Sequence, residues 1–517
     1  MWAERNIFLS FFARSIFLFT FVHNCRRGAR KNRTGNWKRY VEVTHLIIYR
    51  SMKKAIVFLF VLCLGAVAHA QSAEKRVKVA IPGGKHYLYR LTLTDKKGTP
   101  FSVKKPQAFL SQRAIDRRKR QHISVTESDL PVSPKYVKKI AATGAGIVGT
   151  SKWNNTVVVS VKDTLQAEEL KHLSFVSDVK KIWASPDSMR AQKREYVVPE
   201  LKRAEKTPES VYGVGEKSID IINGKPLHEA GFRGKGMVIA ILDGGFMNAD
   251  KVEGFKNTTI LGSRDCGYPR VESIFAEGDH GTKVLSCMGT NLPDMFIGTA
   301  PEASYWLIRS EVGFYESLCE EDFWAMAVEF ADSVGADVIN SSLGYVGYDD
   351  KSMNHKYRDL NGKTALISRT ASMLADKGMV LANSAGNSGA STWKKINFPS
   401  DADHILTVGA LTPMKKNATF SSVGNTADGR VKPDVMSLGN PAAVISGRGI
   451  ITTASGTSFA SPVLCGMVAC LWQALPDKTA HEIIDIIRRS ADNYETPDNI
   501  FGYGIPDFWK AYEQNKK

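Results

Sequence analysis

Cysteine is scarce, with seven in 517 residues, and no two of them stand in a C-x-x-C spacing. That argues against a structural zinc site, whose ligands usually come in such pairs. A chain of this length can bury a large core, so disulfides are not needed to hold it together. No Asp-x-Asp-x-Asp-Gly segment occurs, so the common calcium loop is missing. No internal repeat and no low-complexity tract is found, which argues against a solenoid. A basic balance is also missing from most of the chain. The formal net charge is +17, yet residues 211–517 carry 29 Lys/Arg against 36 Asp/Glu. The excess sits in residues 1–70, with 12 against 2, and in residues 71–210, with 28 against 14. A nucleic-acid partner would need a basic face on the main domain, so none is expected.

What is present is an ordinary globular composition, 43% hydrophobic and 23% charged, with length for two or more folded units. Near the N-terminus, Met52-Lys53-Lys54 precedes an apolar run over residues 55–68 and the exit Ala68-His69-Ala70. A basic start, a short apolar run and a small-x-small exit predict a signal peptide over 52–70, with Gln71 as the new N-terminus. Export then places the protein in the periplasm, at the cell surface or outside the cell. A membrane anchor is the competing reading. Residues 1–51 read as a leader or as an extension upstream of a true start at Met52. Five cysteines follow the leader, an odd number, so at least one thiol stays free or pairs between molecules. Cys287, Cys465 and Cys470 lie in apolar helical stretches and read as core residues; Cys266 and Cys319 are the one pair to test as a disulfide.

Residues 71–195 read as a small α+β unit. Tyr87–Leu93 and Thr156–Val161 are strand-like and 108–121 reads as a basic helix. A charged, loop-like linker runs over about 191–210. From Tyr212 the pattern changes to strands at 237–242, 304–309, 337–341, 379–383 and 405–410. Helices alternate with them at 280–289, 320–334, 364–377 and 459–474. Such alternation predicts a mainly parallel sheet covered on both faces, a three-layer α/β domain over 211–517.

Three segments carry chemistry. The strand at 237–242 ends in Asp243-Gly244-Gly245, and sites form at the carboxyl ends of parallel strands. Asp279-His280-Gly281-Thr282 opens a helix and supplies a side chain that exchanges protons near neutral pH. Gly456-Thr457-Ser458-Phe459-Ala460-Ser461-Pro462 puts Ser458 at a helix N-terminus, whose N–H groups favour developing negative charge. Pro462 reads as a first-turn proline, where its missing N–H costs little. Each segment alone also fits an ordinary turn or cap.

Together, in the order Asp, His, Ser, the three segments resemble the subtilisin-like serine peptidases of the bacterial secreted type. The resemblance covers roughly 212–512. It implies a subtilisin-like fold, a triad of Asp243, His280 and Ser458, and an endopeptidase working through an acyl-enzyme. Ser384-Ala385-Gly386-Asn387-Ser388-Gly389 is similar to the family's oxyanion loop, which assigns Asn387 to the oxyanion hole and Ala385 and Gly386 to substrate contact. Ser341-Ser342-Leu343-Gly344 resembles the segment that binds substrate backbone, which assigns Ser342, Leu343 and Gly344 to that role. The chemistry requires no metal or other cofactor; structural calcium is a family inheritance. The basic unit over 71–210 is expected to be a propeptide that covers the acidic catalytic domain and is removed by autoprocessing. Polypeptide substrates and this propeptide are the expected partners, and the chain is expected to act as a monomer. A processing protease with one main substrate and an inactive peptide-binding relative are the rival readings. One departure stands out: the family usually has Thr or Ser after the catalytic Asp, and this chain has Gly244.

Overall fold

The structure, a computed structural model, describes residues 78–79, 85–186, 189–190 and 210–516. The chain divides into two compact units, 1–76 and 77–517, and every described residue belongs to the second. The expected signal peptide lies outside the described residues, and so does almost all of the expected linker.

The N-terminal part has strands β1 (Tyr87–Leu93), β2 (Gly146–Ser151), β3 (Thr156–Val161) and β4 (Val176–Ala184). Its helices are α1 (Gln112–Arg120), α2 (Pro134–Ala141) and α3 (Thr164–Lys171). The strands form an antiparallel sheet in the order β2-β3-β1-β4. Its two faces do different work. Tyr89, Leu91 and Leu93 of β1 join Val157, Val159 and Val161 of β3 in a small core under the part's own helices. Leu88 and Val158, pointing the other way as strand alternation requires, belong to the core of the larger part. The expected helix over 108–121 starts later, at Gln112, because the Ser111 hydroxyl accepts from the Ala114 N–H (3.2 Å) and caps it there.

The larger part is built on β5 (Val238–Asp243), β6 (Thr259–Asp265), β7 (Ser304–Arg309), β8 (Val338–Ser341), β9 (Val380–Ser384), β10 (Leu406–Leu411) and β11 (Val435–Leu438). These seven strands pair in parallel, in the order β11-β10-β9-β8-β5-β7-β6. A hairpin of β12 (Ala442–Ile445) and β13 (Ile451–Ala454) follows. Helices α4 (His280–Gly289) and α7 (Thr457–Ala474) belong to the layer on one face. Helices α5 (Cys319–Val334) and α6 (Leu366–Ala371) cover the other. The three-layer α/β architecture expected from the alternation is therefore present, preceded by the α+β part. Helix α7 is long and apolar enough to cross a bilayer, yet 83% of it is buried in this core. The helix expected over 364–377 breaks after Ala371. The Ser372 hydroxyl donates to the carbonyls of Ser368 (2.9 Å) and Gly362 (3.1 Å), which competes with helical pairing.

The five described cysteines are free thiols, which overturns the expected Cys266–Cys319 pair. Cys319 is fully buried at the start of α5, where its sulfur lies 3.7 Å from the Tyr315 hydroxyl. Burial pushes the Cys266 thiol up to about 12.

The two parts meet along α5. Arg90 of β1 reaches Asp322 through Nε (2.7 Å) and Nη2 (2.5 Å). Asp332, fully buried, accepts from Arg117 (2.6 Å), Arg118 (2.9 Å) and Lys152 (2.8 Å). Glu329 accepts from the Ser151 hydroxyl (2.6 Å) and from the N–H groups of Lys152 (2.7 Å) and Trp153 (3.0 Å). Gln121 donates to the Gly378 carbonyl and accepts from the Ala480 N–H. Burial opposes ionisation of Asp332, but Lys152, Arg118 and Arg117 outweigh it and hold the carboxyl well below the usual range. A depressed acid stabilises the fold above its unfolded value, near 4, and the contribution fades as pH falls below that. Replacing Asp332 by Asn leaves the buried Arg117 and Lys152 without their carboxylate and Arg118 with Asp129 alone. The expected loss is about 3–5 kcal/mol at neutral pH, read as a lower urea midpoint of the full chain. The gap should narrow below about pH 4; an unchanged midpoint at pH 7 would contradict this account.

Candidate active site

Strand β5 is buried at every position and ends in Asp243. The carboxylate accepts from the Gly244 N–H (2.8 Å) and faces His280 Nδ1 at 2.9 and 3.0 Å. The acceptor fixes the ring proton on Nδ1 and leaves Nε2 as a base. His280 opens α4, and Gly281 lets the helix start hard against β5. A Cβ at Gly281 would lie 2.5 Å from the Gly245 carbonyl oxygen and 2.7 Å from the Phe246 ring. Burial favours the neutral imidazole, but the charge of Asp243 and its hydrogen bond outweigh it and raise the His280 pKa. The His280 side chain remains 41% exposed, so it is open to an incoming ligand.

Ser458 is the second residue of α7 and is almost fully buried. Its hydroxyl donates to the Ser342 carbonyl at 3.3 Å rather than to His280. The neighbouring Phe459 ring packs 5.6 Å from the His280 ring, which brings the helix start and the histidine together. Pro462 is the sixth residue of α7, beyond the first turn where it was expected. Its missing N–H would have bonded to the Ser458 carbonyl. That carbonyl instead accepts from the Ser342 hydroxyl at 2.7 Å. Ser342 is held in turn by Asn340 Nδ2 (3.0 Å), and Asn340 Oδ1 accepts from Ser461 (2.8 Å). The proline thus frees one carbonyl, and the end of β8 uses it to pin the residue in question.

Asn387 follows β9 and is exposed. Its Oδ1 accepts from both the N–H (2.9 Å) and the hydroxyl (3.0 Å) of Thr457. The amide orientation is thereby set, with the NH2 left to donate. Gly386, before it, has φ +103°, and a Cβ there would lie 2.7 Å from the Asn397 side chain. Its N–H bonds to Thr457 Oγ1 (3.1 Å), while Ala385 is fully buried and donates to the Val408 carbonyl (3.0 Å). Ser342, Leu343 and Gly344 continue β8 beyond its last sheet pair. Among the described residues Leu343 and Gly344 form no backbone hydrogen bond, which leaves their N–H and C=O groups without a strand partner.

Asp243, His280, Ser458 and Asn387 thus gather at the carboxyl edge of the sheet, with the 342–344 edge beside Ser458. Thr457 and Asn340 anchor the site; Thr457 stands inside the serine motif and Asn340 just before the 341–344 segment, and the sequence assigned neither a role. Glu311 also lies here, against Gly244, at a place no motif marked. Among the described residues no group of three or more His, Cys, Asp or Glu is arranged to hold a metal ion.

The arrangement has counterparts in known proteins. The profile of the Subtilase family, Peptidase_S8, matches residues 234–504. The Peptidase S8 propeptide domain of Bacteroidota matches residues 88–196. Serine protease AprX of Bacillus subtilis is 27% identical over 301 residues, 52% of this chain and 65% of that protein. Subtilisin DY of Bacillus licheniformis is 27% identical over 282 residues, 53% of this chain and 90% of that protein. The crystal structure of an epidermin leader peptide processing serine protease from Staphylococcus aureus covers 84% of this chain and 100% of its own. Its TM-score is 0.57 at 16% identity, a likeness of fold. With a catalytic-domain match over more than half its length, a propeptide-domain match before it and the parallel sheet that carries the site, the chain belongs to the subtilase family of serine peptidases.

Proposed function

We propose that this chain is an exported serine endopeptidase, made as a zymogen, that cleaves extended polypeptide through an acyl-enzyme on Ser458. The observation that carries this reading is the Asp243 carboxylate on Nδ1 of His280, 2.9 Å away, beside a serine at a buried helix N-terminus. Ser458 Oγ turns from the Ser342 carbonyl to His280 and attacks the scissile carbonyl carbon. His280 Nε2 takes its proton and later gives it to the leaving amine. Asp243 keeps the ring in the working tautomer and stabilises the imidazolium. The Asn387 amide and the Ser458 N–H donate to the oxyanion, in a field made favourable by the start of α7. Substrate backbone lies along the open edge at 342–344 as an added strand, passing Ala385 and Gly386.

The zymogen reading rests on the propeptide-domain match and on the seating of Arg90, Arg117, Arg118 and Lys152 against the acidic α5. Processing falls in or near residues 191–211. Export rests on the basic start, apolar run and small-x-small exit over 52–70.

A fluorophosphonate probe tests the nucleophile. The parent, expressed under conditions that permit maturation, should be labelled, whereas Ser458→Ala and His280→Ala should not. Equal labelling of Ser458→Ala, or no labelling of the parent, sinks the assignment. Replacing Asn387 by Ala should lower kcat on a peptide by about 10²–10³-fold with KM little changed. A loss confined to KM would instead mean that Asn387 only binds substrate.

A further inference from the structure

Glu311 follows β7 by two residues. Strand β7 pairs with β5 so that Arg309 stands opposite Asp243, and the Ser310 N–H bonds to the Asp243 carbonyl (3.0 Å). The chain therefore delivers Glu311 to the end of the strand that carries Asp243. A Cβ built on Gly244 would lie 3.1 Å from Glu311 Oε2 and 3.8 Å from Glu311 Cβ. The space that a side chain after Asp243 would fill is taken by this carboxyl group from the neighbouring strand. Glu311 is half-buried, and among the described residues its carboxyl has no hydrogen bond and no ion pair. No other described side chain holds it there, so its place beside the pair calls for an account.

We propose that Glu311 is a positioning residue for the Asp243–His280 pair, its carboxylate filling the side-chain place left open at Gly244 and stabilising the imidazolium. This rests on the triad reading above. The charged groups bearing on the two side chains give the sign. His280 feels Asp243 and Glu311, which raise its pKa, and Lys283 on its own helix, which lowers it. Burial, then the charge of Asp243, push Glu311 up to about 7, while His280 and Arg309 act in the opposite direction. Glu316 and Glu320, further along the same segment, are raised as well, chiefly by burial and partly by Glu311. Among the described residues the cations that bear on the pair are Arg309, which acts on Glu311, and Lys283, which acts on His280. Glu311 and His280 therefore influence each other's titration. Each favours the charged form of the other, so Glu311 supports His280 while it holds the proton taken from Ser458. Gly244 is then no simple loss of a hydroxyl: it makes room for a group that acts on the same histidine from another strand.

The test is the pH dependence of fluorophosphonate labelling and of kcat/KM, whose acid limb reports the loss of the neutral imidazole. Glu311→Gln keeps the size and removes the charge. Its acid limb should move to lower pH by about half a unit, which makes labelling about threefold faster on that limb. Glu311→Asp, which keeps a carboxylate, should return the profile toward the parent. Gly244→Ser crowds the carboxyl at 3.1 Å and should shift the limb the same way; added to Glu311→Gln it should add little. A Glu311→Gln profile that superimposes on a labelled parent overturns the role of Glu311 and leaves the triad standing. An unlabelled parent, or a labelled Ser458→Ala, overturns the triad and this proposal with it. A uniform fall in rate at every pH means that Glu311 is structural only.

Discussion

Seven parallel strands impose the constraint on which the site depends. In a parallel sheet every strand delivers its carboxyl end to one edge, so residues far apart in sequence share that edge when each follows its strand. Asp243 closes β5, the 342–344 segment leaves β8, and Asn387 follows β9. Helices complete the set from above: α4 begins with His280, and α7 begins one residue before Ser458. Close approach is what remains to be arranged. Gly281 supplies it for the histidine helix and Gly386 for the asparagine loop, each at a point where a Cβ would meet a neighbour within 2.7 Å.

Pro462 and Ser342 show how a local defect becomes a positioning device. The proline leaves the Ser458 carbonyl without a helical partner, and the hydroxyl at the end of β8 takes it. Because Asn340 and Ser461 extend the same chain of bonds, the nucleophile helix is tied to the strand beside it. A carbonyl released in a fully packed interior must find a donor.

The acidic face of α5 has the same character on a larger scale. Asp322, Glu329 and Asp332 would be odd residues for a core helix. They are buried because the N-terminal part covers them with Arg90, Arg117, Arg118, Lys152 and backbone donors. Part of the opposite charge of residues 71–210 and 211–517 is thus paired within the chain, along α5. Such pairs give little net energy over an apolar contact, but they penalise any docking that leaves one partner bare. That specificity suits a covering domain.

The strand–helix alternation and the five motif segments were legible because they depend on local periodicity and on residue types that few other contexts require. Legibility failed where neighbours in space decided the outcome. Strand β6 is mixed polar and apolar, was not among the expected strands, and is set by its pairing with β7. The 364–377 helix breaks at a serine whose hydroxyl finds a carbonyl ten residues back. Cys266 and Cys319 looked pairable only because sequence holds no distances. The sequence by itself determined the fold class, the basic cover and the chemical types at the site, since these follow from composition, period and motif. Tertiary structure alone decided that the Ser458 hydroxyl rests on Ser342, that Thr457 orients Asn387, and that Glu311 fills the place beside Asp243. The reason is physical: a lone residue's role depends on which group lies within about 3 Å of it, and only the packed chain sets that.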